Sequence, residues 1–135
     1  MEESQDAGWW LRAAERDEAV ARKLMTVGFH EGAGEHLAQA AQKYLRALLA
    51  KHGRRSRAKF CTELLEEIAE VLTVPEPLKK SASTLDHPPK RKKPKTLEDV
   101  PKRLEDEGAI ENLVDHLGAI KSFALTALGA QPAQP

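Results

Sequence analysis

Apolar residues recur along this chain at helical spacing, and no segment shows sustained period-two alternation. Trp10, Ala13, Ala14, Ala21, Leu24 and Gly28 share one stripe, which predicts a first helix over about residues 8–27. The polar residues before it, Met1 to Ala7, read as a frayed end. Gly28 should close the helix, because glycine takes the left-handed C-cap conformation cheaply. The link Phe29–Glu31 is so short that the second helix must return antiparallel.

That second helix is expected over about 32–52, with Leu37, Ala40, Ala41, Tyr44, Leu45 and Leu48 on its apolar face. Six alanines between 33 and 50 allow close approach on more than one side, as a central bundle helix needs. Gly53 stops it. Ser56 is the expected N-cap of a third helix over about 57–73, whose face is Phe60, Leu64, Ile68, Val71 and Leu72. Pro75 and Pro77 end that pattern, and a short helix is expected over Leu78–Leu85.

The stretch Asp86 to Lys95 holds three prolines and five basic residues in ten positions, which suits a loop or tether. A last helix starts between Asp99 and Gly108 and aligns Ile110, Leu113, Val114, Leu117, Ile120, Ala124 and Leu128. Gly129 ends it, and Ala130–Pro135 is a short tail expected to be disordered. The expected architecture is one all-α domain over 1–135, an antiparallel up-and-down bundle of four to five helices, with a basic Pro-rich loop at 86–101.

Composition narrows the functions. The 135 residues carry 21 Lys+Arg and 21 Asp+Glu, which excludes a uniformly basic nucleic-acid binder but leaves room for a local basic patch. A lone cysteine, Cys61, permits neither an internal disulfide nor a Cys-rich zinc site, and suits a cytoplasmic protein. The apolar runs are too short for a membrane span, so no membrane partner is expected.

The charge is segregated. Seven basic residues lie between Lys43 and Lys59 without an acid among them, and a second block runs from Lys90 to Lys95. Phosphates would be drawn to the end of the second helix and the turn after it. A solvated helix end, its basic residues complementing the helix dipole, explains the same run. No aromatic interleaves with the run except Tyr44, which faces the core, so base stacking is not expected. Asp17 sits inside the apolar stripe of the first helix. It is either a site acid or a structural partner for Lys43 or a backbone donor; the structural role is favoured. The five histidines have no metal-site spacing, and no metal or cofactor is expected. Lys59 and Arg57 could lower the pKa of Cys61, but a buried, inert thiol is the simpler reading.

Trp10-Leu11-Arg12-x-Ala14-x-x-Asp17, Gly28, the run His36-Leu37-Ala38-Gln39-Ala40-Ala41-Gln42-Lys43 and Gly53 together resemble the HEPN domain (higher eukaryotes and prokaryotes nucleotide-binding). The resemblance implies a helical bundle of four or five helices that dimerises around a groove. It also implies action beside a nucleotidyltransferase, or in toxin–antitoxin and defence systems. Some members cleave RNA through an Arg-x(4–6)-His motif at the start of the last long helix. Here Arg103 and His116 stand too far apart for it. Arg46 and His52 fit the spacing but lie at the end of the second helix, and so point away from each other.

The reading is therefore a non-catalytic, homodimeric, cytoplasmic module. It would bind nucleotide or RNA phosphates through Lys43, Arg46, Arg54, Arg55, Arg91 and Lys93, or a nucleotidyltransferase partner. A ribonuclease of the same fold, and a dimeric interaction protein without a nucleic-acid role, are the alternatives.

Overall fold

The computed structural model describes residues 6–87 and 103–129. Five helices follow in order: α1 (Ala7–Thr26), α2 (His30–Lys51), α3 (Cys61–Ile68), α4 (Glu76–Asp86) and α5 (Arg103–Ala127). The fold is an all-α bundle, with no strand among the described residues.

Order begins earlier than the sequence suggests. Asp6 caps α1, its side chain accepting the Trp9 N–H at 2.8 Å. The end of α1 is set by Gly28 at φ 80°. The Gly28 N–H reaches Met25 O at 3.1 Å and the Phe29 N–H reaches Leu24 O at 2.8 Å, the paired bonds of a Schellman motif. The chain reverses there, and α2 returns along α1. Trp10 then faces Arg46, and Asp17 faces Lys43.

Helix α2 is the centre of the bundle and packs on all four other helices. Its buried residues make one broad face covering about half of the circumference: Ala40, Ala41, Tyr44, Leu45, Ala47 and Leu48 are all inaccessible. Alanines make up four of the ten buried positions of this helix. Gly34 faces Leu113 and Ile110 of α5, and a Cβ there would meet them at 3.5 and 3.7 Å, in ordinary van der Waals contact. Helices α2 and α5 run in the same direction: Gly34 lies by Ile110, Tyr44 by Lys121, and the Lys51 ammonium donates to Leu128 O.

The third helix differs most from expectation. It spans Cys61–Ile68 only, and residues 54–59 have no regular structure. Ser56 is not its N-cap. The Ser56 hydroxyl instead accepts the Ala58 N–H at 3.0 Å and donates to Glu67. Phe60 leaves the apolar face, takes the N-cap position and is exposed. The free N–H groups of the first turn find acids elsewhere. Asp86, the last residue of α4, accepts the Cys61 N–H at 2.7 Å and the Thr62 N–H and hydroxyl at 2.9 Å. Glu63 accepts from Phe60 N–H at 3.3 Å. Asp86 is thus part of the helical framework, not the start of the loop. Val71 and Leu72 follow α3 in a turn, bonded back to Ile68 O. Pro77 sits in the first turn of α4, where its missing N–H costs nothing. Residues 88–101 of the expected basic loop and the tail from Ala130 lie outside the described residues.

Candidate nucleic-acid interface

The second Schellman motif builds the site. Gly53 has φ 72°, and the N–H groups of Gly53 and Arg54 bond back to Ala50 O and Leu49 O, each at 2.9 Å. The chain leaves α2 here and turns back along α3. Three arginines, Arg54, Arg55 and Arg57, follow within four residues.

Arg46 fixes this segment from within α2. Its guanidinium donates to Ser56 O at 2.7 Å and to Ala58 O, and lies 5.4 Å from the centre of the Trp10 ring. One rigid fork thereby joins α1, α2 and the 54–58 segment. The result is an open cleft of about 370 Å³ lined by Trp10, Arg46, Leu49, Arg54, Arg55, Ser56 and Arg57. Four of its seven lining residues are arginines, and Trp10 and Leu49 supply the apolar lining. Two of its lining residues are paired to acids outside the lining: Arg54 donates to Glu70, and Ser56 to Glu67. Chemically, the cleft can take an anion with several acceptor oxygens, since arginine forks match phosphate geometry.

Of the residues expected to bind phosphate, Arg46, Arg54 and Arg55 come together, and Arg57 joins them. Lys43 does not line the cleft. Its ammonium lies 2.5 Å from Asp17 Oδ2, on the seam between α1 and α2. Arg91 and Lys93 lie outside the described residues. The aromatic at the basic cluster is Trp10, which the local sequence pattern missed because it comes from the other helix. Trp10 and Arg46 stand eighteen residues either side of Gly28, so pairing positions about the turn would have found the contact.

Asp17 is a structural acid with two partners. It is 7% exposed and accepts from Lys43, while its other oxygen meets His36 Nδ1 at 3.0 Å. His36 and Lys43 are seven residues apart, two turns of one helix, so both reach the same carboxylate. On the α5 side of the same seam, Glu18 accepts from Tyr44 at 2.7 Å, Arg22 at 3.0 Å and Lys121 at 3.2 Å. Burial alone would raise the Glu18 carboxyl, but these three donors outweigh it and hold it below the ordinary carboxylate value. Burial, with Glu18 as acceptor, pushes the Tyr44 hydroxyl far up, so it stays a donor.

The spacing of Arg46 and His52 does not bring the two side chains together. Arg46 is directed to Trp10 and the loop carbonyls, whereas His52 is the exposed C-cap of α2. His116 Nδ1 is 2.9 Å from the Ser81 hydroxyl, between α5 and α4. Burial, then the neighbouring Asp86, pushes the Cys61 thiol well up, opposite to activation by Lys59 and Arg57. Among the described residues, no group of three or more His, Cys, Asp or Glu could hold a metal ion, and no helix is long and apolar enough to cross a membrane.

Comparison with curated proteins finds no match. Among solved structures, a HEPN domain protein from Thermotoga maritima superimposes with a TM-score of 0.77 at 24% identity, covering 90% of this chain and 98% of that one. That likeness shows the fold. The model of the HEPN domain matches residues 7–117, from the first residue of α1 to the middle of α5. With most of its length matched, the chain belongs to the HEPN domain family, whose members are nucleotide-binding or RNase-type modules.

Proposed function

We propose that the chain is a non-catalytic HEPN module that binds the phosphates of a nucleotide or RNA. The observation that carries this is the convergence of Arg46, Arg54, Arg55 and Arg57 on one cleft beside Trp10. A solvated helix end would scatter these side chains, whereas here Arg46 holds the segment that presents the others. In this reading Arg91 and Lys93 are a second source of positive charge, whereas the charge of Lys43 is offset by Asp17 away from the cleft. A homodimer would set two copies of the cleft in one assembly and raise the local potential. Family context adds the setting: action beside a nucleotidyltransferase partner, in a toxin–antitoxin or defence system, in the cytoplasm.

The test is a titration of labelled single-stranded RNA against the wild type and an Arg54→Ala/Arg55→Ala variant, with a gel for products. Weaker binding by the variant and intact RNA throughout support the reading. Equal binding by both proteins removes the site assignment. Cleavage abolished by His52→Ala would favour the ribonuclease alternative instead. Absence of any binding would favour a plain interaction protein.

A further inference from the structure

Phosphate alone uses only part of the cleft. Arg46 already donates to the Ser56 and Ala58 carbonyls, and Arg54 to Glu70. The cleft also has apolar lining that a phosphate cannot cover. Leu49 is 1% exposed and offers little of it, so the apolar surface is that of Trp10. The volume, about 370 Å³, reaches the range of small-molecule sites, which starts at about 300 Å³, and a phosphate group fills little of it.

Trp10 is placed to use the remainder. It is half-buried, and its ring is held from two directions. The Arg46 guanidinium lies 5.4 Å from the ring centre, and the Trp9 ring meets it at 90° with centroids 4.9 Å apart. An aromatic ring fixed in a basic groove is what nucleobases stack on while guanidiniums hold the backbone. The base must be unpaired and splayed out, because its neighbours in a duplex cover both of its faces.

Resting on the phosphate-binding reading above, we propose that Trp10 is the base platform of this cleft. Its ligand is then an unpaired nucleotide, the base stacked on Trp10 and the phosphate held by the arginines of the 54–57 segment. The same chemistry is offered by a free nucleotide and by a nucleotide within a single strand. Trp10 comes to the basic run from α1, so the site exists only where α1 and α2 are packed together.

The experiment uses the full chain and two 3′-labelled single strands of equal length and charge, one an RNA and one carrying stable abasic residues in place of the bases. In anisotropy titrations the wild type should bind the RNA about ten- to hundredfold more tightly, the worth of one base–aromatic stack. Trp10→Leu should bring the two affinities together, and Trp10→Phe, which keeps a ring, should retain most of the gap. A Trp10 that acts only through Arg46 on the 54–58 segment would instead weaken both strands alike and leave their ratio unchanged. In a Trp9→Phe background Trp10 is the sole tryptophan, and its emission should be quenched by the RNA but not by the abasic strand. That readout stands even where Trp10→Leu fails to fold. Annealing the RNA to its complement should weaken binding despite the added charge. Displacement of the RNA by adenosine 5′-monophosphate, and not by ribose 5-phosphate, identifies a free nucleotide as sufficient; displacement only by unlabelled RNA identifies a base within a strand. Equal wild-type affinity for the RNA and the abasic strand overturns the proposal, as does a ratio unchanged in Trp10→Leu or a duplex bound as tightly as the single strand. Failure of the wild type to bind either strand or the nucleotide overturns the phosphate-binding reading itself.

Discussion

Asp86→Ala should destabilise the fold more than any surface charge change, although the residue lies at the very end of α4. Its carboxylate accepts two backbone N–H groups and one hydroxyl at the start of α3, at 2.7–2.9 Å. Cys61 is fully buried, so its N–H has no ready access to water once the acceptor is gone. An N-cap side chain is worth about 0.5–2 kcal/mol, and a buried donor left unsatisfied costs about 1–3 kcal/mol. A loss of about 2–3 kcal/mol follows, or about 6–12 °C in Tm for a chain of this size. The effect should be local as well as global. Helix α3 has eight residues, too few to stand without its caps and packing, so its amides should exchange faster with solvent before the bundle melts. Asp86→Asn keeps one acceptor oxygen and should lose less. Glu76→Gln removes an ion pair whose partners are 81% and 61% exposed, and should change Tm by no more than a degree or two. The measurements are thermal melting and hydrogen exchange of α3. An Asp86→Ala protein that melts within two degrees of the wild type, with unchanged exchange in α3, would refute the capping argument.

Two further outcomes follow. The Glu18 carboxyl is held below its ordinary value in the folded state, so its stabilisation is present above the unfolded value and lost as pH falls through the folded one. Glu18→Gln should therefore be less stable than the wild type at pH 7, with the two melting curves converging towards pH 3; a constant gap across that range would contradict the linkage. Sedimentation at micromolar concentration should give twice 14.9 kDa if the proposed homodimer forms, and a clean 14.9 kDa species would remove it.

Much of the fold is legible because its signals are local. Helices α1 and α2 each carry a clear periodic stripe and end at a glycine with positive φ, Gly28 and Gly53. Helix α3 is misjudged because its cap is not local: Asp86 is 25 residues away from Cys61 in sequence. Ser56 offers a plausible hydroxyl nearby, but Arg46 holds the Ser56 and Ala58 carbonyls and keeps that segment from coiling. The candidate site divides in the same way. Arg46, Arg54 and Arg55 stand in one acid-free run and are found together. Trp10 belongs to another element, and only the packing of α1 on α2 brings it in. Lys43 belongs to the run by sequence, but the buried carboxylate of Asp17 holds its ammonium on the seam between α1 and α2.

The central claim is that Arg54 and Arg55 neutralise phosphates in a single cleft. It is tested most directly by measuring the affinity for single-stranded RNA across a range of salt concentrations, for the wild type and Arg54→Ala/Arg55→Ala. Each neutralised phosphate of a single strand contributes about 0.7 to the slope of log affinity against log salt. The account predicts weaker binding by the variant and a slope shallower by about 1.4, two contacts' worth. Parallel lines of equal slope for the two proteins would contradict it.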